Sequence, residues 1–254
     1  MSQTRRFEIT SFALHILAML FMLCDHLWAT LLTSQDWLTW VGRIAFPLFA
    51  FMLAEGFSHT RDRKKYAKRL LIFALISELP FNLMLSGSLI YPLHQNVMFT
   101  FLLAIAAMSI CEKIRKRFSR LPGILLCLLT ALGFYFAGFI TFVDYYGYGI
   151  LTVLVFYFTH TAASEAKSRK LLAAAVQLLA LYFINCDLMG GLVVPVTLGG
   201  AELVIPQQGM ALLALPLIWL YRGKQGPYNK GIRLLYYSFY PAHILILALL
   251  MILL

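Results

Sequence analysis

Asp25 and His26 stand side by side near the end of a long apolar run, "FMLCDHLWAT" at 21–30. Ionisable groups are costly inside a bilayer, and where they occur they usually face a bundle interior or a cavity. The same pattern recurs along the chain. Arg43 lies in "WVGRIAFPLFAFMLAEGF", and Glu78 lies in "ISELPFN" with Asn82 one turn further on. Gln95 and Asn96 open "HQNVMFTFLL", and Asp144 falls in "FVDYYGYG". An imidazole, a fixed cation and the carboxylates of Asp25, Glu78 and Asp144 thus fall at similar depth near the ends of consecutive apolar segments. Such residues can take and give protons as general bases or relays. The plainer alternative is a structural ion pair, Arg43 with Glu78 or with Asp144, that only holds helices together.

Histidine spacing sharpens the pattern. His15 and His26 are eleven residues apart, almost three helical turns, so they share one helix face about 16 Å apart along the axis. Asp25 is one position from His26 and points about 100° away from that face, which aims it at a neighbouring helix, with Arg43 a candidate partner. His243 sits mid-depth in "YYSFYPAHILIL", where Pro241 frees backbone groups and favours a kink. A lone intramembrane histidine also serves as a helix–helix hydrogen-bonding group, and that reading is stronger for His243 than for His26.

The elements that must position these residues are membrane helices. The chain has 254 residues, is 61% hydrophobic and only 13% charged. Soluble domains are about half apolar and a quarter charged. Stretches of about 20 apolar residues can each cross the hydrocarbon core. Nine spans are predicted, at 10–32, 38–58, 66–86, 96–112, 121–141, 147–162, 169–187, 206–222 and 232–253. The fold class is therefore an all-α polytopic membrane protein, one integral membrane domain over 1–254. The Gly-rich stretch 188–205 reads as a loop that can re-enter the membrane. The basic N-terminus and the apolar run behind it resemble a signal peptide, but no small-residue cleavage site follows, so a retained first helix is expected.

The net charge of +10 does not point to nucleic acid, because of where it falls. All 21 lysines and arginines except Arg43 lie at the N-terminus or within 61–69, 113–120, 167–170 and 222–233. With nine spans these regions share one side, which the positive-inside rule makes the cytoplasm, with the C-terminus outside. The segment "HTRDRKKYAKRLL" suits anionic lipid headgroups, or a polyphosphate ligand gripped by Lys65 and Arg69 at i, i+4. No Walker or Rossmann glycine pattern is present. Cys24, Cys111, Cys127 and Cys186 form no CxxC pair and read as apolar packers, so neither a disulfide nor a metal is expected. There is also an internal echo. Phe57-Ser58-His59-Thr60 recurs as Phe158-Thr159-His160-Thr161, and Lys68-Arg69-Leu70-Leu71 recurs at the same offset as Arg169-Lys170-Leu171-Leu172. It fits a four-helix repeat, or simply the likeness of one membrane boundary to another.

Together "LHILAMLFMLCDHL", "GRIAFPLFAFMLAEGF", "RDRKKYAKRLLIFALISELPFN", "QNVMFTFLLAI", "DYYGYGIL" and "YYSFYPAHILIL" resemble the TraX family over most of the chain. These are integral membrane proteins named for acetylation of conjugative pilin. That family in turn resembles the transmembrane acyltransferases. Their first helix carries a basic residue, ten further residues and a catalytic histidine. His26 matches the histidine and Ala18 an alanine of that signature. His15 stands where the family usually has Arg or Lys. "KKYAKRLL" resembles a cytoplasmic motif that contacts coenzyme A, and "YPAHILIL" resembles the end of a late helix.

The resemblance implies an acetyltransferase of the bacterial inner membrane. It implies catalytic roles for His26, Arg43 and Asp25, and donor contacts from His15, Lys65 and Arg69. Glu78, Asn96, Asp144 and His243 would meet the acceptor. Acetyl-CoA would be the donor, docking from the cytoplasm. The acceptor would be a protein N-terminus or a cell-envelope glycan on the outer face. The expected partners are these and the lipid bilayer, with no nucleic acid. The alternative on the residues alone is a proton-coupled transporter, which thioester hydrolysis by the purified protein would separate from an acyltransferase. A b-type haem protein using two of His15, His26 and His243 would instead show a Soret band.

Overall fold

A computed structural model describes residues 8–160, 166–198 and 201–254. Arg5, Arg6, Thr161 and the end of the sixth predicted span fall outside them. Among the described residues ten α-helices run in order: α1 Ser11–Thr30, α2 Trp37–Gly42, α3 Ala45–His59, α4 Arg63–Ser86, α5 Val97–Arg117, α6 Arg120–Ile140, α7 Tyr146–Phe158, α8 Lys167–Tyr182, α9 Ala214–Leu220 and α10 Lys230–Leu253. A π-helical turn at Phe183–Met189 extends α8, and a 3-10 helix at Gln207–Leu213 leads into α9.

Seven of the described helical stretches are long and apolar enough to cross a membrane, with α2 and α3 joined as one and α8 with its π turn as another. The stretches Tyr146–Phe158 and Gln207–Leu220 are shorter and apolar. Each of the nine predicted spans therefore has a helix, seven of them of full crossing length. The segment expected as a loop at 188–205 contains a two-stranded antiparallel hairpin, β1 Val193–Leu198 paired with β2 Ala201–Pro206. The sequence reading missed it. Val and Thr within "LVVPVTLGGAELVI" favour strands.

Local chemistry sets the helix starts. Thr10, Asp62, Asn96 and Asn229 cap α1, α4, α5 and α10, each accepting from a backbone N–H two or three residues ahead. α4 stops at Gly87, whose φ of 69° is left-handed. Two apolar clusters fill the interior. The larger joins α1, α3, α5 and α7 around Leu14, Leu48, Phe57, Met108, Ile150 and Phe156. The smaller joins α1, α3, α4 and α10 around Met22, Phe81, Tyr240, Ile244 and Leu247. Leucines and isoleucines on α6, among them Leu121, Leu125, Leu128 and Leu129, are exposed. A face of this kind on an α-helix fits lipid.

Both ends of the bundle are tied. At one end Ile9 N–H donates to Leu220 C=O, Glu8 pairs with Lys224, and Arg63 pairs with Glu112. The basic segments at 61–69, 113–120 and 222–233 gather here. At the other end Gln95 and Val143 form a short parallel bridge, and Gln207 on the 3-10 helix reaches Thr39 on α2. The residues singled out for chemistry, apart from His15, Lys65 and Arg69, collect at this second end. One close approach makes room for that. An added Cβ at Gly42 would lie 2.4 Å from Asp25 Cβ, so glycine there lets α2 press against α1.

Candidate functional site

The polar end contains a frame and a histidine pair. In the frame, Arg43 Nη2 donates to Asp25 Oδ1 at 2.8 Å, and Thr39 Oγ1 donates to the same oxygen at 2.8 Å. Gln207 Nε2 donates to Thr39 Oγ1 at 2.9 Å, and the Tyr145 hydroxyl meets the Arg43 guanidinium. Asp25 and Arg43 are each under 20% exposed. This is the pairing that the 100° offset between Asp25 and His26 anticipates. The alternative Arg43–Glu78 pair does not form. Glu78 instead accepts from Asn96, from its side chain at 2.6 Å and its backbone at 3.3 Å.

His26 and His243 meet directly, Nδ1 of His26 lying 2.7 Å from Nε2 of His243 with the rings stacked. His243 Nδ1 lies 2.6 Å from the Phe239 carbonyl oxygen. A carbonyl can only accept, so His243 Nδ1 carries a proton. In the neutral pair His243 Nε2 is then the acceptor and His26 Nδ1 the donor. His26 Nε2 is left with its lone pair. The sequence reading grouped His243 with acceptor-binding residues. The structure puts it behind His26, on the other ring nitrogen. The direct contact also leaves no room for a haem iron between the two.

Asp144 closes this end. Its carboxylate is within electrostatic range of His26, Asp25 and Arg43. Its backbone carbonyl accepts from Thr100, and its Oδ1 lies 3.5 Å from His94 Nε2. The turn that presents it is strained. Phe142, Tyr145 and Tyr146 have φ of 52°, 59° and 45°, which side chains other than glycine rarely adopt. Such residues cost about 1–3 kcal/mol each and persist where the surroundings over-determine them. Here Tyr145 stacks on Phe46 at 3.9 Å between centroids and reaches Arg43.

A cavity of about 530 Å³ enters from the basic end. Ser11, His15, Gln225, Arg233 and Tyr236 line it there, and Met22, Val97, Met98 and Tyr240 line its inner part. His15 Nδ1 bonds the Ser11 carbonyl at 2.7 Å and its ring stacks on Tyr236. His26 does not line the cavity. It lies one turn beyond Met22, its ring 6.2 Å from that of Tyr240. Lys65 and Arg69 are exposed and do not line it either, although Tyr66 and Leu70, each the next residue, do. The structure thus brings Asp25, His26, Arg43, Asp144 and His243 together and puts Glu78 and Asn96 on the neighbouring helices. His15 stands at the basic end of the cavity, toward its mouth, and Lys65 and Arg69 stand outside that mouth.

Thr39, His94, Tyr145, Gln207 and Tyr240 belong to this site and were not singled out in the sequence. Of these only His94 carried a usable signal, as an imidazole beside Gln95 and Asn96.

The arrangement is that of a polytopic membrane protein with a half-buried histidine, paired to a second one, between a mostly apolar cavity and a polar rim. The family is equally definite. Residues 11–251 match the TraX family, described as TraX protein, and the chain belongs to it. It is 33% identical over 258 residues to a probable fimbrial assembly protein, FimC of serogroup H1, from Dichelobacter nodosus, covering 96% of each chain. No solved structure matches it.

The rim gives a pH prediction. The hydrogen bond to Asp144 raises the His94 imidazole above its ordinary value, partial burial opposes this, and the charges of Asp144 and Glu78 reinforce the rise. Phe81 and Tyr146 complete its surroundings. A raised folded-state pKa stabilises the protein fully below the unfolded value, and that contribution is lost as pH rises through the folded one. The gap in thermal midpoint between the protein and His94→Gln in detergent should therefore be widest below the ordinary imidazole value of about 6.5 and shrink as the pH rises above it. A gap that widens with pH would contradict the pairing.

Proposed function

We propose that the chain is an acetyltransferase of the bacterial inner membrane. On this reading the acetyl group moves from acetyl-CoA, docked at the basic, cytoplasmic end, to an acceptor at the polar, outer end. The observation that carries it is the 2.7 Å contact of His26 Nδ1 with His243 Nε2 just beyond the inner end of the cavity, which with the Phe239 carbonyl bond assigns the lone pair to His26 Nε2. Membership of the TraX family and likeness to a probable fimbrial assembly protein support an N–H or O–H acceptor on a fimbrial subunit, its N-terminus first. A cell-envelope glycan is the other acceptor of the same chemistry.

The fit to the donor rests on the cavity. It is long, lined by Tyr66, Tyr228, Tyr236 and Tyr237, and carries Arg233 and His15 toward its mouth. Lys65 and Arg69 flank that mouth, where they would meet phosphates. A thioester supplies the acyl carbon and a thiolate leaving group. His26 Nε2 takes the acceptor's proton as the acceptor nitrogen or oxygen bonds to the acyl carbon. The carbon–sulfur bond breaks, and His26 returns the proton to the departing sulfur. His243 keeps the His26 ring in the productive tautomer through its bond to Nδ1. Arg43 supplies a fixed positive charge felt at His26, suited to negative charge growing on the acyl oxygen. Asp25 holds Arg43 in place. Asp144, Glu78 and Asn96 face the acceptor side.

The roles of the two histidines are separable. With purified protein in bilayers and labelled acetyl-CoA, His26→Ala should abolish acyl transfer, a loss of at least ~100-fold in kcat. His243→Ala should lower kcat about tenfold or more while leaving KM for the donor close to normal. Mass spectrometry of fimbrial subunits and glycans from cells with and without the protein identifies the acceptor. Near-normal turnover by His26→Ala would overturn the mechanism.

Sidedness is tested in oriented vesicles. Acetyl-CoA supplied at the basic face should support turnover, and the same donor at the polar face should support none. Arg233→Gln should raise KM for acetyl-CoA about tenfold, the loss of one charge-assisted hydrogen bond of roughly 1.5 kcal/mol. Turnover with donor only at the polar face would reverse the orientation.

A further inference from the structure

The internal echo noted in the sequence has a structural counterpart. Ser58 Oγ donates to Ala54 C=O, and Thr159 Oγ1 donates to Val155 C=O, so the echoed residues close α3 and α7 in the same way. This brings His59 and His160 to opposite sides of Glu55. Glu55 Oε1 lies 3.1 Å from His59 Nε2, and Glu55 Oε2 lies 2.8 Å from His160 Nε2. The three ligand atoms lie within 4.8 Å of one another.

We propose that Glu55, His59 and His160 bind a divalent first-row metal ion, with zinc the best fit. This departs from the sequence reading, which expected no metal, and it is independent of the acyl-transfer mechanism. Two imidazoles and a carboxylate are the donor set of open zinc sites and of other first-row metal centres. Bonds of about 2.0–2.2 Å in tetrahedral geometry put ligand atoms about 3.3 Å apart, close to both Glu55–His distances already present. The two contacts are made to different oxygens of Glu55, so an ion bound there would need both imidazoles to turn toward one oxygen, or toward the two together, and His59 and His160 to draw closer. The His59 side chain is 70% exposed and ends its helix, so it can turn without disturbing packing.

Glu55 is held for the task. Its side chain is 16% exposed, it projects from α3 one helical turn before His59, and the Tyr221 hydroxyl bonds to it. Glu55, His59 and Tyr221 all line the cavity, so a remaining coordination position can open into it for water or a ligand oxygen. Without a metal the three side chains would be only a hydrogen-bonded lock between the ends of α3 and α7.

The test uses full-length protein without a polyhistidine tag, stripped with chelator in detergent and titrated with Zn²⁺, and with Co²⁺ as a spectroscopic probe. The expected result is one ion per chain and cobalt bands of a four-coordinate site. His59→Ala should weaken binding at least ~10-fold, since even outer-shell changes cost that much. It should also abolish the rise in thermal midpoint that Zn²⁺ gives the unaltered protein. Glu55→Gln tests the carboxylate in the same way. His59 is exposed, so its variant should fold, and its thermal midpoint without metal verifies that. No stoichiometric binding, or binding that both variants retain at full strength, would overturn the site and leave the lock.

Discussion

The hydrogen bond between His26 and His243 is the contact around which the rest of the site is arranged. It joins residues 217 positions apart and forms only if α1 and α10 meet at one depth and one rotation. The apolar cluster of Met22, Phe81, Tyr240, Ile244 and Leu247 supplies that register, since each of these side chains is nearly or fully buried between α1, α4 and α10. The Phe239 carbonyl then decides which nitrogen of His243 carries the proton. Shifting α10 by one residue would turn His243 about 100° away and leave His26 Nδ1 without an acceptor.

Around the pair the protein holds charges that a bilayer would otherwise reject. Arg43 is neutralised by Asp25 and bonded to Thr39 and Tyr145, while Gln207 fixes Thr39 from the far side. Burying such a pair brings little net stability, yet removing one partner leaves a buried charge at a cost of about 3–5 kcal/mol. The frame is therefore better read as a means of holding geometry than as a source of stability. The left-handed turn at Phe142, Tyr145 and Tyr146 fits this, because its strain is spent on bringing Asp144 and Tyr145 to the same point.

Much of this was legible in the sequence because hydropathy and charge act locally. Each apolar stretch found a helix, and the distribution of lysine and arginine marked one end of the bundle. Helical rotation alone aimed Asp25 at a neighbouring helix and made Arg43 a candidate partner, while the pair that forms was settled by packing. What the sequence hid depends on the register between distant segments. Nothing in "YPAHILIL" says that His243 faces His26 and not lipid. Gln207 follows a stretch that reads as a loop, and its reach to Thr39 depends on a hairpin that no apolar periodicity marks. The echo at His59 and His160 was visible, but only packing of α3 on α7 puts Glu55 between them.

The tautomer of His26 is the claim on which the mechanism turns. Solid-state ¹⁵N NMR of histidine-labelled protein in bilayers measures it directly at neutral pH. The expected spectrum has His26 protonated on Nδ1 and bare on Nε2, with a coupling through the hydrogen bond to His243 Nε2, and that coupling disappears in His243→Ala. A His26 protonated on Nε2, or one with no coupling to His243, would contradict it.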